Sequence, residues 1–215
     1  MIVPAIMDFH AVKEIAQVVG VLLFAVILHE YAHGWVADRL GDPTAREAGR
    51  LSLNPLRHID PVGTLLVPLV LKLLGFMPLG WAKPVPVDFR RLRNPRRDML
   101  LVAAAGPAVN MILAFAAARL LQFSLPEAVR DMTLSAVVVN LILATFNLLP
   151  IPPLDGSRIL VAILPSAVGR IYARIEPYGI IIVIVLLNLG MLDFIWRIGV
   201  FLAARMGIPV SLLDG

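Results

Sequence analysis

Apolar residues in this chain come in long unbroken runs rather than at the spacing of one buried face. Ile15 to Leu28 carries no charge, and Gln17 is its one clearly polar side chain. Asp98–Gln122 and Met132–Leu149 are two further clear spans, and Pro177–Met206 is a last apolar stretch that Asn188-Leu189-Gly190 is placed to bend or break. Runs of about 20 apolar residues are what a helix needs to cross a bilayer. Val62–Leu79 is different: it is apolar, but Gly63, Pro68, Lys72, Gly75 and Pro78 interrupt it. Gly80–Val87 then reads Gly-Trp-Ala-Lys-Pro-Val-Pro-Val, which its prolines force to be extended. The pattern predicts an all-α polytopic membrane protein, a helical bundle of about 4–6 membrane segments with a short re-entrant or β element. Part of Ala45–Asp60, where charge alternates with apolar positions, is expected to add a short strand at the membrane surface. Gly156–Ile175 is expected to lie on that surface. One integral-membrane domain is expected over 1–215, its core at about 15–165.

Inside the first run stands Leu28-His29-Glu30-Tyr31-Ala32-His33-Gly34. On a helix, residues four apart lie nearly above one another. Both imidazoles can therefore reach one zinc ion, and Glu30 is placed to act as a general base. Charged and metal-ligating groups at membrane depth are costly, which makes them functional candidates. A third ligand has two candidates. Asp155 follows a stretch with three prolines in four residues, Pro150-Ile151-Pro152-Pro153, which gives it a rigid extended support. An N-cap for the next helix is the structural alternative for Asp155. His58 is its one rival, in a loop with helix-start signals where Pro61 follows Asp60. His10 reads as a solvated histidine.

Composition changes the picture little. The 215 residues are 59% hydrophobic, too apolar for an ordinary soluble domain. The net charge of +4 is concentrated: Lys83, Arg90, Arg91, Arg93, Arg96 and Arg97 share one loop. Positive-inside topology accounts for that cluster more simply than a nucleic-acid patch, so no nucleic-acid partner is expected. No cysteine is present, which excludes disulfides and thiolate metal sites. Asp193 and Arg197, four apart, are spaced to neutralise one another on a helix.

Three blocks together resemble the site-2 proteases, the intramembrane zinc metallopeptidases. They are His29-Glu30-Tyr31-Ala32-His33, Gly106-Pro107-Ala108-Val109-Asn110, and Asn147 through Leu154-Asp155-Gly156. The pattern around Asn54–Thr64 and Trp81–Val87 is similar to the small bacterial members. The resemblance implies that His29, His33 and Asp155 hold one Zn2+ per chain and that Glu30 is the base. It also implies that Asn147 lies near the site and steadies substrate or the oxyanion. It further implies hydrolysis of peptide bonds within or near transmembrane segments of single-span or other membrane proteins, as regulated intramembrane proteolysis. The setting expected is the bilayer of a bacterial plasma membrane, with the site nearer the cytoplasm. No loop has room for the PDZ or CBS domain of larger members. The alternatives are a zinc-binding membrane transporter or an inactive scaffold, which have less use for a glutamate in the base position.

Two further expectations concern geometry. His29–His33 and Asp155 each lie at one end of an apolar run, so those two helices should run parallel, with Asp98–Gln122 as the single crossing between them. Val62–Leu79 must then return to its starting side. An unwound substrate needs its backbone groups satisfied in the membrane. Adding it as a strand to an edge would do this. The N–H groups of Lys83, Val85 and Val87 are the candidate clamp, because Pro84 and Pro86 remove donors from the opposite edge. The alternative is that this edge pairs with Ala45–Leu53.

Overall fold

The computed structural model describes residues 9–76 and 80–212. The lead-in expected over Met1–Glu14 falls largely outside these residues, as do the last three positions of Val62–Leu79.

Nine α-helices are formed among the described residues: α1 (Phe9–Arg39), α2 (Thr44–Glu47), α3 (Val67–Leu73), α4 (Pro95–Leu120), α5 (Glu127–Asn147), α6 (Asp155–Ile163), α7 (Ser166–Ala173), α8 (Gly179–Asn188) and α9 (Phe194–Arg205). Among the described residues, four stretches are long and apolar enough to cross a membrane: Ile15–Arg39, Pro95–Leu120, Glu127–Asn147 and Ser166–Asn188. The last joins α7 and α8 across a 3-10 turn at Glu176–Tyr178, where a surface-lying segment was expected. Gly190, at φ +68, breaks the final apolar stretch, so α8 and α9 are separate helices. Asp193 and Arg197 fall at the start of α9 and form no ion pair there.

The bundle is built on stripes of small residues. Ala25, His29, His33 and Ala37 line one buried face of α1 at four-residue spacing. On α4 the buried positions include Asp98, Val102, Gly106, Asn110, Ala114 and Ala118, again four apart. Lipid offers no hydrophobic drive between helices, so close backbone approach through Gly and Ala is what packs them. Helix α4 is the centre: it packs on α1, α5 and α6, and α1 also touches α5. Farther along, Ala114, Ala118, Val137, Leu141, Ala203 and Ile208 join α4, α5 and α9.

The excursion between α1 and α4 begins and ends at one level. Helix α1 stops at Gly41, whose φ of +111 suits glycine. The Leu40 carbonyl accepts the Arg93 N–H at 3.0 Å. Asp42 is fully buried, and its Oδ2 accepts the Asp88 N–H at 2.7 Å. Arg91 pairs with Glu47 at 2.8 Å and holds its carboxyl below the usual carboxylate range. The two ends of the polypeptide between Leu40 and Arg93 therefore meet. Within it, Pro61–Leu73 is a short apolar helix whose first residues, Pro61–Leu66, have π-type bonding. At about 1.5 Å per residue it falls well short of a ~30 Å hydrocarbon core, as a re-entrant segment should. Asp60 caps it, accepting from the N–H groups of Val62 and Gly63 at 2.9 and 3.2 Å, and these bonds lower the Asp60 pKa.

The strand expectations need correction. No strand is formed among the described residues. Thr44–Glu47 is a helical turn closed by Gly49 at φ +63, not a strand. Residues 81–87 form neither helix nor strand, and the Trp81, Lys83 and Val85 donors pair with a helical carbonyl, a loop carbonyl and a side chain rather than with a neighbouring strand. Trp81 N–H goes to the Gly63 carbonyl at 3.1 Å and Lys83 N–H to the His58 carbonyl at 2.8 Å. Pro84 and Pro86 have no donor to offer a ladder.

Candidate metal centre and active site

His29 and His33 lie on the buried face of α1, one turn apart, with their rings edge to face at 84°. Each ring is fixed by its far nitrogen. His33 Nδ1 donates to the Val102 carbonyl at 2.7 Å, and His29 Nδ1 to Asn110 Oδ1 at 2.6 Å. With Nδ1 holding the proton, each Nε2 presents a lone pair. These Nε2 atoms lie 3.1 Å apart. Asp155 Oδ2 completes the triangle, 3.1 Å from His29 Nε2 and 3.2 Å from His33 Nε2.

Three atoms able to offer lone pairs therefore converge, and they need a cation, a proton or a metal ion, between them. Asp155 Oδ2 is buried and has no hydrogen-bond donor, although the two imidazole nitrogens are near. Such an arrangement is repulsive unless a cation occupies it. The spacing suits zinc: tetrahedral ligands at about 2.0–2.1 Å from the ion stand about 3.3 Å from each other. Gly106 of α4 supplies the room. A Cβ there would lie 2.4 Å from His33 Nε2 and 2.6 Å from His29 Nε2.

Asp155 reaches the histidines because the chain turns sharply after α5. It is the first residue of α6 and makes no capping bond, so the capping alternative is not realised. Gly156 lies against the end of α5, where a Cβ would come within 2.2 Å of the Leu148 carbonyl oxygen. The other end of α6 is held by Arg96, whose Nε donates to the Ala162 carbonyl at 2.7 Å.

Glu30 is half-buried, on a neighbouring part of the α1 surface. Its Oε2 accepts the Val85 N–H at 2.8 Å. Sequence reasoning missed this contact; the even spacing of Pro84 and Pro86 singled out the Val85 N–H but not its partner. Of the expected clamp donors, Lys83 and Val85 are thus already engaged, with the His58 carbonyl and Glu30, rather than free or paired with 45–53. Arg50 from that region reaches the Lys83 carbonyl at 2.8 Å instead.

A cavity of about 900 Å³ opens on these groups. His29, Glu30, His33, Asn147 and Asp155 line it, with Val85 and Val87 along one wall. Lys83 does not line it. Asn147 ends α5 and spends one amide N–H on the Leu143 carbonyl at 3.0 Å. His58 also borders the cavity but stands outside the triangle, with its Nε2 donating to the Ser52 carbonyl at 2.8 Å. Of His10, only its backbone, within α1, is described.

The family profile described as "Peptidase family M50" matches residues 17–137 and 124–190. The chain is 37% identical over 188 residues to "Putative zinc metalloprotease YwhC" of Bacillus subtilis, covering 83% of each protein. It is 32% identical over 174 residues to "Putative zinc metalloprotease Rip2" of Mycolicibacterium smegmatis, covering 77% of this chain and 64% of that protein. The protein of the same name from Mycobacterium tuberculosis strain H37Rv is 32% identical over 173 residues, covering 79% and 66%. The chain thus spans about two thirds of the mycobacterial relatives' length. No solved structure matches it significantly. With the family match running through most of its length, the chain belongs to peptidase family M50, the site-2 proteases, and is a zinc metallopeptidase built on membrane helices.

Proposed function

We propose that the chain hydrolyses peptide bonds within or near the transmembrane segments of other membrane proteins, single-span proteins among them, as a step of regulated intramembrane proteolysis. The observation that carries this reading is the triangle of His29, His33 and Asp155 opening, beside Glu30, on a cavity set among apolar helices. These three residues would hold the zinc ion. Bound there, the ion would supply Lewis acidity, lowering the pKa of a water towards about 7 and polarising a peptide carbonyl.

The remaining work falls to side chains. Glu30 takes the proton of the attacking water and returns it to the leaving amine. The Val85 N–H holds Oε2, which leaves Oε1 to carry that proton. Asn147 has a second amide N–H to offer a substrate carbonyl or the oxyanion. Since Lys83 and Val85 have spent their donors, an unwound substrate lying along residues 82–87 would meet the proline edge, which offers carbonyl acceptors. A clamp on the Lys83–Val85–Val87 edge would first have to displace His58 and Glu30.

The membrane placement follows from charge. Arg90, Arg91 and Arg93 stand beside the end of α1, and Arg96 and Arg97 begin α4. The positive-inside rule puts that level in the cytoplasm, of a bacterial plasma membrane on this reading, with the zinc site nearer that face.

The test is cleavage of a model transmembrane substrate by the purified protein in liposomes. Glu30→Gln should abolish cleavage while zinc content stays at the parent's level. Parent-rate cleavage by Glu30→Gln would overturn the reading. No cleavage by the parent, with zinc flux across the liposome, would favour a transporter.

A further inference from the structure

The two histidines are oriented by unequal means. His33 donates to a backbone carbonyl, Val102, which can only accept and cannot turn round. His29 donates to the side-chain amide of Asn110, which could present either its oxygen or its nitrogen. Something must fix that choice, and two acceptors face the amide nitrogen: the Asn140 side chain at 2.8 Å and, at the longer distance of 3.4 Å, the Ala25 carbonyl.

Asn140, on α5, has its Nδ2 donating to the Ala136 carbonyl one turn back, at 2.8 Å. That carbonyl can only accept, so Asn140 Oδ1 is turned towards α4. There it receives Asn110 Nδ2 at 2.8 Å. Asn110 Nδ2 also lies 3.4 Å from the Ala25 carbonyl. Asn110 Oδ1 is left facing His29 Nδ1. The relay has one direction. Reversing the Asn110 amide would set oxygen against two oxygens and N–H against N–H. Both amides are buried, at 0% and 3% exposure, so neither has water as an alternative partner.

We propose that Asn140 is a positioning residue of the zinc site. Acting through Asn110, it holds His29 as the Nδ1–H tautomer with the Nε2 lone pair turned towards His33 and Asp155. The inference rests on His29 being a zinc ligand. A plain packing role for Asn140, as polar glue between α4 and α5, makes the opposite prediction in the experiment below.

The experiment measures zinc affinity of the purified full-length protein by competition with a chromophoric chelator. Asn140→Leu keeps the volume and removes the acceptor. Asn140→Asp keeps both bonds when neutral, its O–H donating to the Ala136 carbonyl and its C=O accepting from Asn110. Under the proposal, Asn140→Leu weakens zinc binding about 10–100-fold, the range for a lost outer partner, and Asn140→Asp stays near the parent. A packing role predicts the reverse order, because leucine suits an apolar bundle and a buried acid does not. A second arm uses Asn110→Asp, whose carboxylate accepts from His29 whichever way it turns. In that background Asn140→Leu should cost little zinc affinity. Parent-like binding by Asn140→Leu, or an equal defect in both backgrounds, would overturn the relay. His29→Ala separates the two levels: if it binds zinc like the parent, the ligand assignment itself is wrong.

Discussion

The backbone N–H of Val85 donates to the carboxylate of Glu30 over 2.8 Å, joining positions 55 apart in sequence. The extended segment after the re-entrant helix thus touches the residue placed as the base. Val85 also packs against Gly34 of α1, where its Cγ1 would lie 2.7 Å from an added Cβ. The return path of the re-entrant element is in this way part of the active-site wall.

Val85→Pro removes that N–H. Proline is compatible with the extended conformation already set by Pro84 and Pro86. Hydrogen bonds to charged groups contribute about 1.5–3 kcal/mol, so cleavage should fall about 10–100-fold if the loss is felt in the rate. Zinc content and membrane insertion should stay at parent levels. Val85→Ala, which loses packing but keeps the N–H, should cleave far better than Val85→Pro. Equal rates for the two variants would show that this N–H does not hold the base.

Much of this was legible in the sequence, for identifiable reasons. Spans announce themselves because every backbone group in lipid must be bonded internally, so long apolar runs must be helical. His29, Glu30 and His33 share one helix, and helical spacing is local information. Asp155 was legible as a candidate through its proline support, but its convergence with the histidines depends on how α4, α5 and α6 pack. The partner of Val85 could not be read at all, since nothing local records which side chain an extended backbone meets. The expected strands failed for the same reason. Alternation in 45–53 and the one-sided prolines of 81–87 describe edges, and an edge becomes a strand only if another edge arrives. Here a loop carbonyl and a carboxylate arrive instead.

The third ligand is testable by metal content. Asp155 Oδ2 sits within 3.2 Å of both imidazole nitrogens, whereas His58 stands outside the group that the three form. Asp155→Ala should lose zinc, and His58→Ala should keep it. Full occupancy in the first variant with loss in the second would reverse the assignment.

The hydrogen bond from Arg93 to the Leu40 carbonyl brings the two ends of the intervening chain to one level. Single cysteines at positions 57 and 93 should therefore react with a membrane-impermeant reagent from the same side of the bilayer. Labelling from opposite sides would mean that Pro61–Leu73 and the extended return do not cancel.

Gly106 gives the sharpest test of the site's geometry. Its missing side chain is what lets α4 lie against both imidazoles. A methyl group there would sit 2.4 Å from His33 Nε2 and 2.6 Å from His29 Nε2, on the atoms assigned to the metal. Neither ring can step aside cheaply, because Val102 and Asn110 hold the far nitrogens at 2.7 and 2.6 Å. Alanine is otherwise the better helix former, by about 0.5–1 kcal/mol over glycine. Gly106→Ala should consequently keep a helical, inserted bundle yet lose zinc and cleavage together. Gly20→Ala is the control: no atom outside its own helix lies within 4 Å of the added methyl, and zinc, helicity and cleavage should all hold. Zinc analysis and far-ultraviolet circular dichroism on the two purified variants decide the matter. If Gly106→Ala binds zinc as tightly as the parent, the imidazoles do not meet over this glycine and the proposed triangle is wrongly placed.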